Sequence, residues 1–100
     1  MTMTYLQIWH ARVRAEDVDQ LLAQWPAGMA EAQRLCPDLV RADLVRLEDG
    51  TWLDVLTWSC PDGEERLMRH ADRFDAVHKM HGLLEDASQV GRGEIALTSR

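Results

Sequence analysis

Along this chain, stretches that alternate apolar and polar side chains give way to stretches spaced by three and four, and then alternate again. From Tyr5 to Arg14 the period is two. Leu6, Ile8 and His10 share one side, and Tyr5, Gln7, Trp9, Ala11 and Val13 the other. Both sides carry bulk, which predicts a strand near the centre of a sheet. Ala15-Glu16-Asp17 places acids where a helix would begin. Val18, Leu21, Leu22, Trp25, Met29, Ala32 and Leu35 or Cys36 then recur at helical spacing. Pro26 predicts a kink or break near Trp25, with the proline able to open a second segment. The helix is expected to stop at Cys36-Pro37.

Leu39 to Glu48 alternates again, with Val40, Ala42 and Leu44 against Arg41, Asp43 and Val45. Asp49-Gly50 is a hairpin signal and sets the second and third strands antiparallel. The third strand, Thr51 to Cys60, divides into Trp52, Asp54, Leu56 and Trp58 on one face and Leu53, Val55 and Thr57 on the other. A second helix is expected from Gly63 to about Asp86, its stripe formed by Leu67, Ala71, Phe74, Val77 and Leu84. His70, His78 and His81 fall on that same side. Asp72-Arg73 could divide it into two shorter helices. Gln89 to Leu97 closes the chain as a strand, with Gly91 and Gly93 marking a bulge or a close backbone contact.

Strand, helix, strand, strand, helix, strand in 100 residues predicts one domain spanning residues 1–100. The expected class is α+β, a ferredoxin-like βαββαβ sandwich with both helices on one face of the sheet. Large apolar residues on both parities of the first and third strands leave the second face needing cover. That predicts a homodimer.

Composition narrows the partners. The net charge of −6, with both signs interspersed, argues against nucleic acid and anionic membranes, which require a basic face. No apolar run approaches the roughly 20 residues of a membrane span, and the start shows no signal-type segment, so a cytoplasmic location is expected. Cys36 and Cys60 form no CxxC or Cys/His spacing and read as free thiols.

Three histidines beside an aromatic on one helix side exceed what packing alone asks for. A pocket imidazole would stay neutral and could serve as a base. His78 and His81 also have chelating spacing, but no further ligand is placed to complete a metal site. A pocket of Trp58, Phe74 and Met80 would suit a planar aromatic ligand. Asp54 shares a face with Trp52 and Trp58, as a candidate base or histidine-orienting group.

The order of elements, the length, the Trp58-Ser59 strand exit and Phe74-Asp75-Ala76-Val77-His78-Lys79 resemble the antibiotic biosynthesis monooxygenase superfamily over nearly the whole chain. The resemblance implies a dimeric α+β barrel with a cleft between helices and sheet in each protomer. Some members oxygenate polycyclic phenols with molecular oxygen and neither metal nor flavin. A haem-degrading branch uses a strand asparagine, a strand tryptophan and a helix histidine that ligates haem iron. Trp58 and His78 resemble the last two. The chain contains no asparagine, and Trp9 or His10 occupies the nearest region of the first strand.

The expectation is therefore a cofactor-independent monooxygenase acting on a planar aromatic, polycyclic phenol or quinol. Its catalytic residues would be His78, Trp58 and His81, and its substrate-binding residues Phe74, Trp52, Trp9, His10 and Met80. Two other readings stand beside it. One is a non-catalytic dimeric module binding a small hydrophobic ligand, and the other is haem binding, with or without degradation, through His78.

Overall fold

The computed structural model describes residues 4–99. Its elements are β1 (Tyr5–Arg12), a 3-10 turn (Ala15–Asp17), α1 (Val18–Leu35), β2 (Leu39–Arg46) and β3 (Trp52–Trp58). They continue with α2 (Gly63–Met68), a second 3-10 turn (Ala71–Arg73), α3 (Ala76–His81) and β4 (Glu85–Glu94). The four strands form one antiparallel sheet in the order β2-β3-β1-β4. This is the expected α+β ferredoxin-like arrangement, with β1 and β3 at the centre.

Pairing between β1 and β3 is regular from Tyr5↔Trp58 to Ala11↔Trp52. Because side chains alternate, that register places Gln7, Trp9 and Ala11 on the same face as Trp52, Asp54, Leu56 and Trp58. The hairpin from β2 to β3 turns at Leu47–Gly50, where the Gly50 N–H donates to the Leu47 carbonyl at 3.0 Å. Gly50 has φ +86°, a conformation that side-chain-bearing residues rarely adopt. The Asp49 carboxylate accepts from the Thr51 N–H and hydroxyl at 2.9 and 2.6 Å, fixing the end of the turn.

Three expectations change. α1 is not broken at Pro26 but runs through it for 18 residues. The proline lies on the exposed side, and the carbonyl it leaves unpaired belongs to the exposed Leu22, where water can satisfy it. The long second helix becomes two six-residue helices joined through the 3-10 turn at 71–73, the region of the anticipated division. Between Leu67 and Phe74 only Ala71 continues the apolar stripe, too small a side chain to hold a continuous helix against the sheet. The chain restarts because Glu31 of α1 accepts the N–H groups of Asp75, Ala76 and Val77 at 2.9, 3.2 and 3.1 Å, capping α3 from another element.

Finally, the last strand begins at Glu85, not Gln89. One irregularity lies between the pairs Ile8↔Gly91 and Trp9↔Gln89, which leaves Val90 as the extra residue, and a second lies between His10↔Ser88 and Arg12↔Glu85. Gly91 and Gly93 have open space around them, so no close backbone approach explains them.

The core lies between helices and sheet. Leu21 and Met80 are its largest fully buried side chains, joined by Trp52, Trp58, Leu39 and Val77. Gly28 of α1 lies 3.3 Å, measured from an added Cβ, from Met80 of α3, so these helices pack closely. On the opposite face of the sheet Leu6, Ile8, Leu53 and Val55 are only half-buried, and Val45 is exposed. No described helix is long and apolar enough to cross a membrane.

Candidate functional site

A cavity of about 400 Å³ lies between the sheet and the helices. Trp9, Trp52, Asp54 and Trp58 face it from the sheet, and Trp25, Phe74, Val77, Met80 and His81 from the helical side. The walls are predominantly aromatic and aliphatic. Among the described lining residues there is no lysine or arginine, and the titratable groups are Asp54, Glu64 and His81.

At one end the polar groups are organised by Gln7, which is only 3% exposed. Its amide nitrogen donates to the Glu64 carboxylate and to the Gln89 side-chain oxygen, the latter at 2.8 Å. Its amide oxygen accepts from Trp58 Nε1 at 3.1 Å. A buried amide with both donors and its acceptor engaged is held in one orientation, and it holds the indole with it. The other support for Trp58 is Gly63: a Cβ there would fall 2.3 Å from the indole Cε3. The glycine of Pro61-Asp62-Gly63 is thus the floor on which the indole rests.

Asp54 lies midway along the sheet wall, paired across the strands with Trp9 and Leu44. Trp25 Nε1 donates to its Oδ1 at 3.3 Å, and among the described residues no other group donates to it. Burial pushes its pKa up to about 6, and the Trp25 N–H only partly offsets that. No charged group contributes to the shift.

The histidines separate. His81 lines the cavity at its mouth while remaining substantially exposed; desolvation of the ring, and then the neighbouring His78, lower its pKa. His78 does not line the cavity. It is exposed, its Nε2 lies 3.3 Å from the Ala71 carbonyl oxygen, and its ring meets Phe74 edge-on with centroids 5.5 Å apart. The expected common face of His70, His78 and His81 required one continuous helix, and the division at 69–75 removes it. His10 also stays outside, because adjacent strand residues point to opposite faces and Trp9 takes the cavity side. Its Nε2 is 2.8 Å from Thr51 Oγ1. Trp58, Trp52, Trp9, Phe74, Met80 and His81 are therefore brought together, while His78 and His10 are not.

Sequence reasoning did not assign a role to Gln7, Glu64 or Trp25. The first strand does supply a side-chain amide beside Trp58: it is glutamine, not asparagine. The signal was the shared parity of Gln7 and Trp9.

Haem fits this donor set poorly. The helix histidine that the resemblance would assign to iron is not among the residues that line the cavity, and the lining offers two carboxylates and no lysine or arginine for a propionate-bearing ligand. Among the described residues no group of three or more His, Cys, Asp or Glu side chains could hold a metal ion.

No family model matches the sequence, and neither does any curated protein. Solved structures do match. One is a mutant of SnoaB, a cofactor-independent oxygenase from Streptomyces nogalater, at 14% identity and TM-score 0.69, covering 97% of this chain and 95% of that one. A second is a point mutant of MhuD with two manganese protoporphyrin IX molecules bound per active site. It is 20% identical, with TM-score 0.71 and coverage of 96% and 98%. A third is a dimeric ferredoxin-like protein of unknown function from Thermobifida fusca, at 16% identity and TM-score 0.63, covering 97% and 93%. Proteins described as putative antibiotic biosynthesis monooxygenases are among the other matches. The resemblance to the antibiotic biosynthesis monooxygenase superfamily holds at the level of fold.

Proposed function

We propose that the chain is a monooxygenase that binds a planar aromatic substrate, a polycyclic phenol or quinol, in this cavity and oxygenates it without a bound cofactor. The observation that carries the reading is the clamped indole. Trp58 is fixed at its edge by Gln7 and on its face by Gly63, and it stands in an aromatic-walled cavity of a size suited to a small planar molecule. The fold shared with a cofactor-independent oxygenase supports it.

In this reaction the substrate is the only reductant. Loss of the phenolic proton gives an anion whose ring carbon carries electron density. Molecular oxygen is reduced by four electrons, one oxygen atom entering the ring as a carbonyl and the other leaving as water, while the phenol becomes a quinone. The protein's part is to hold the ring flat, exclude water and present polar groups where charge develops. Trp58, held in place by Gln7, orients the substrate ring. His81, kept neutral at the mouth, is positioned to pass protons to solvent.

We propose further that the molecule is a homodimer joined through the outer sheet face of Leu6, Ile8, Leu53 and Val55. The partly exposed apolar side chains there and the dimeric ferredoxin-like matches support this.

Oxygen uptake over a panel of polycyclic phenols and hydroquinones tests the reading. Consumption of one oxygen molecule per substrate is expected, with a quinone product, insensitivity to chelators and loss in Trp58→Ala. Absence of uptake across the panel, with 1-naphthol still bound, would leave a binding module.

A further inference from the structure

We propose that Asp54 is the catalytic base of this site, taking the proton of a substrate hydroxyl, and that the cavity selects neutral hydroxylated aromatics over carboxylated ones. This rests on the oxygenase reading above and adds to it the residue that removes the proton and the charge of the substrate admitted.

The geometry is specific. Asp54 is the acid set among the tryptophans of the sheet wall, facing the same space as Trp9, Trp52 and Trp58. One carboxylate oxygen is occupied by Trp25 Nε1 at 3.3 Å. The other has no hydrogen-bond donor among the described residues and is not sealed from the cavity, so it can accept from a ligand. A carboxylate without a cation in an apolar wall is the environment that favours drawing a hydroxyl proton towards it. In the step proposed, the substrate O–H bond breaks, the proton goes to the free Asp54 oxygen, and the bond's electron pair stays on the phenolate oxygen.

Proton affinities agree with that direction. A phenol titrates near 10, far above an ordinary carboxylate, and a carboxyl pushed up to about 6 closes roughly two units of that gap. The same wall opposes anions. Glu64 is engaged with Gln7 at the far end, His81 is at the mouth, and no described lysine or arginine lines the space, so a ligand carboxylate would meet Asp54 with nothing to neutralise either.

Calorimetric titration with 1-naphthol, 1-methoxynaphthalene and 1-naphthoate at pH 8 tests this directly. The wild type should bind 1-naphthol at least about tenfold more tightly than its methyl ether, which has no proton to donate, and should reject 1-naphthoate. Asp54→Asn should lose most of the preference and admit naphthoate better. The wild type alone gives a second readout that needs no variant: the naphthol preference should grow as pH rises through about 6. His81→Ala should leave that inflection in place. Equal affinity for naphthol and its ether would overturn the role of Asp54 while leaving the cavity reading intact. Binding of none of the three probes would overturn both.

Discussion

The two walls of the cavity are built on different principles, and they differ in how far side chains can be placed from local sequence. The sheet wall is set by a period of two: once β1 pairs with β3, Trp9 faces the cavity and His10 cannot. The helical wall is set by where short helices start and stop. α3 exists where it does because Glu31, 44 to 46 residues away in sequence, captures its first N–H groups. A sheet residue's face therefore follows from its parity, which keeps Trp9, Trp52 and Trp58 in the cavity and excludes His10, whereas a role read from a helical stripe depends on the helix being continuous. His78 shows the difference, being one turn from His81 and yet outside the space His81 lines.

The contrast can be broken most severely at Trp58. Trp58→Ala removes a side chain only 3% exposed and should lower unfolding free energy by about 3–5 kcal/mol, as read from denaturant midpoints. Gly63→Ala should show a milder form of the same defect, because the new methyl group displaces the indole. Loss comparable to Trp58→Ala would show that the indole cannot shift at all.

Asp54→Asn should do the opposite. In the folded chain the carboxyl titrates near 6, against 3.8 for an ordinary one, so between those values the folded state holds more protons and stability falls as pH rises. Above about 6 the full penalty of the ionised form is present. Asp54→Asn is therefore expected to be more stable than wild type at pH 8, by about 2–3 kcal/mol, with the gain shrinking towards pH 4. Thermal denaturation at the two pH values checks this, and equal gains at both would rule out titration of Asp54 as the cause.

Glu31→Gln tests the helical wall. Backbone donors hold the Glu31 carboxyl below its usual range, so its contribution is present above about pH 4.5 and is lost as pH falls through its folded value. The variant should unfold at lower denaturant than wild type at pH 7, with amide exchange quickened at 75–81, and the difference should narrow in acid. A smaller effect is expected from His78→Ala, a two- to fivefold loss of substrate affinity through Phe74, against which its ring packs.

Much of the sheet was legible. Alternation gave the faces of β1 and β3, Asp49-Gly50 gave the hairpin, and strand and helix order gave the α+β class. Gln7 was harder because a polar residue in a strand reads locally as solvent-facing. Its burial is paid for by Glu64, Gln89 and Trp58, which lie 57, 82 and 51 residues away. The Trp25–Asp54 pair spans 29 residues and is equally invisible to periodicity. On the helical side the stripe from Leu67 to Leu84 has the right spacing throughout, but the weak link at Ala71 decides the structure.

The most direct measurement compares one residue from each wall during turnover: oxygen uptake with a polycyclic hydroquinone that the wild type accepts, in Asp54→Asn and in His78→Ala. If the sheet wall carries the proton transfer, Asp54→Asn should lose about a hundredfold or more in kcat, while His78→Ala stays within about fivefold of wild type. The reverse order, with Asp54→Asn nearly as active as wild type and His78→Ala inactive, would contradict the assignment and return the chemistry to the helix.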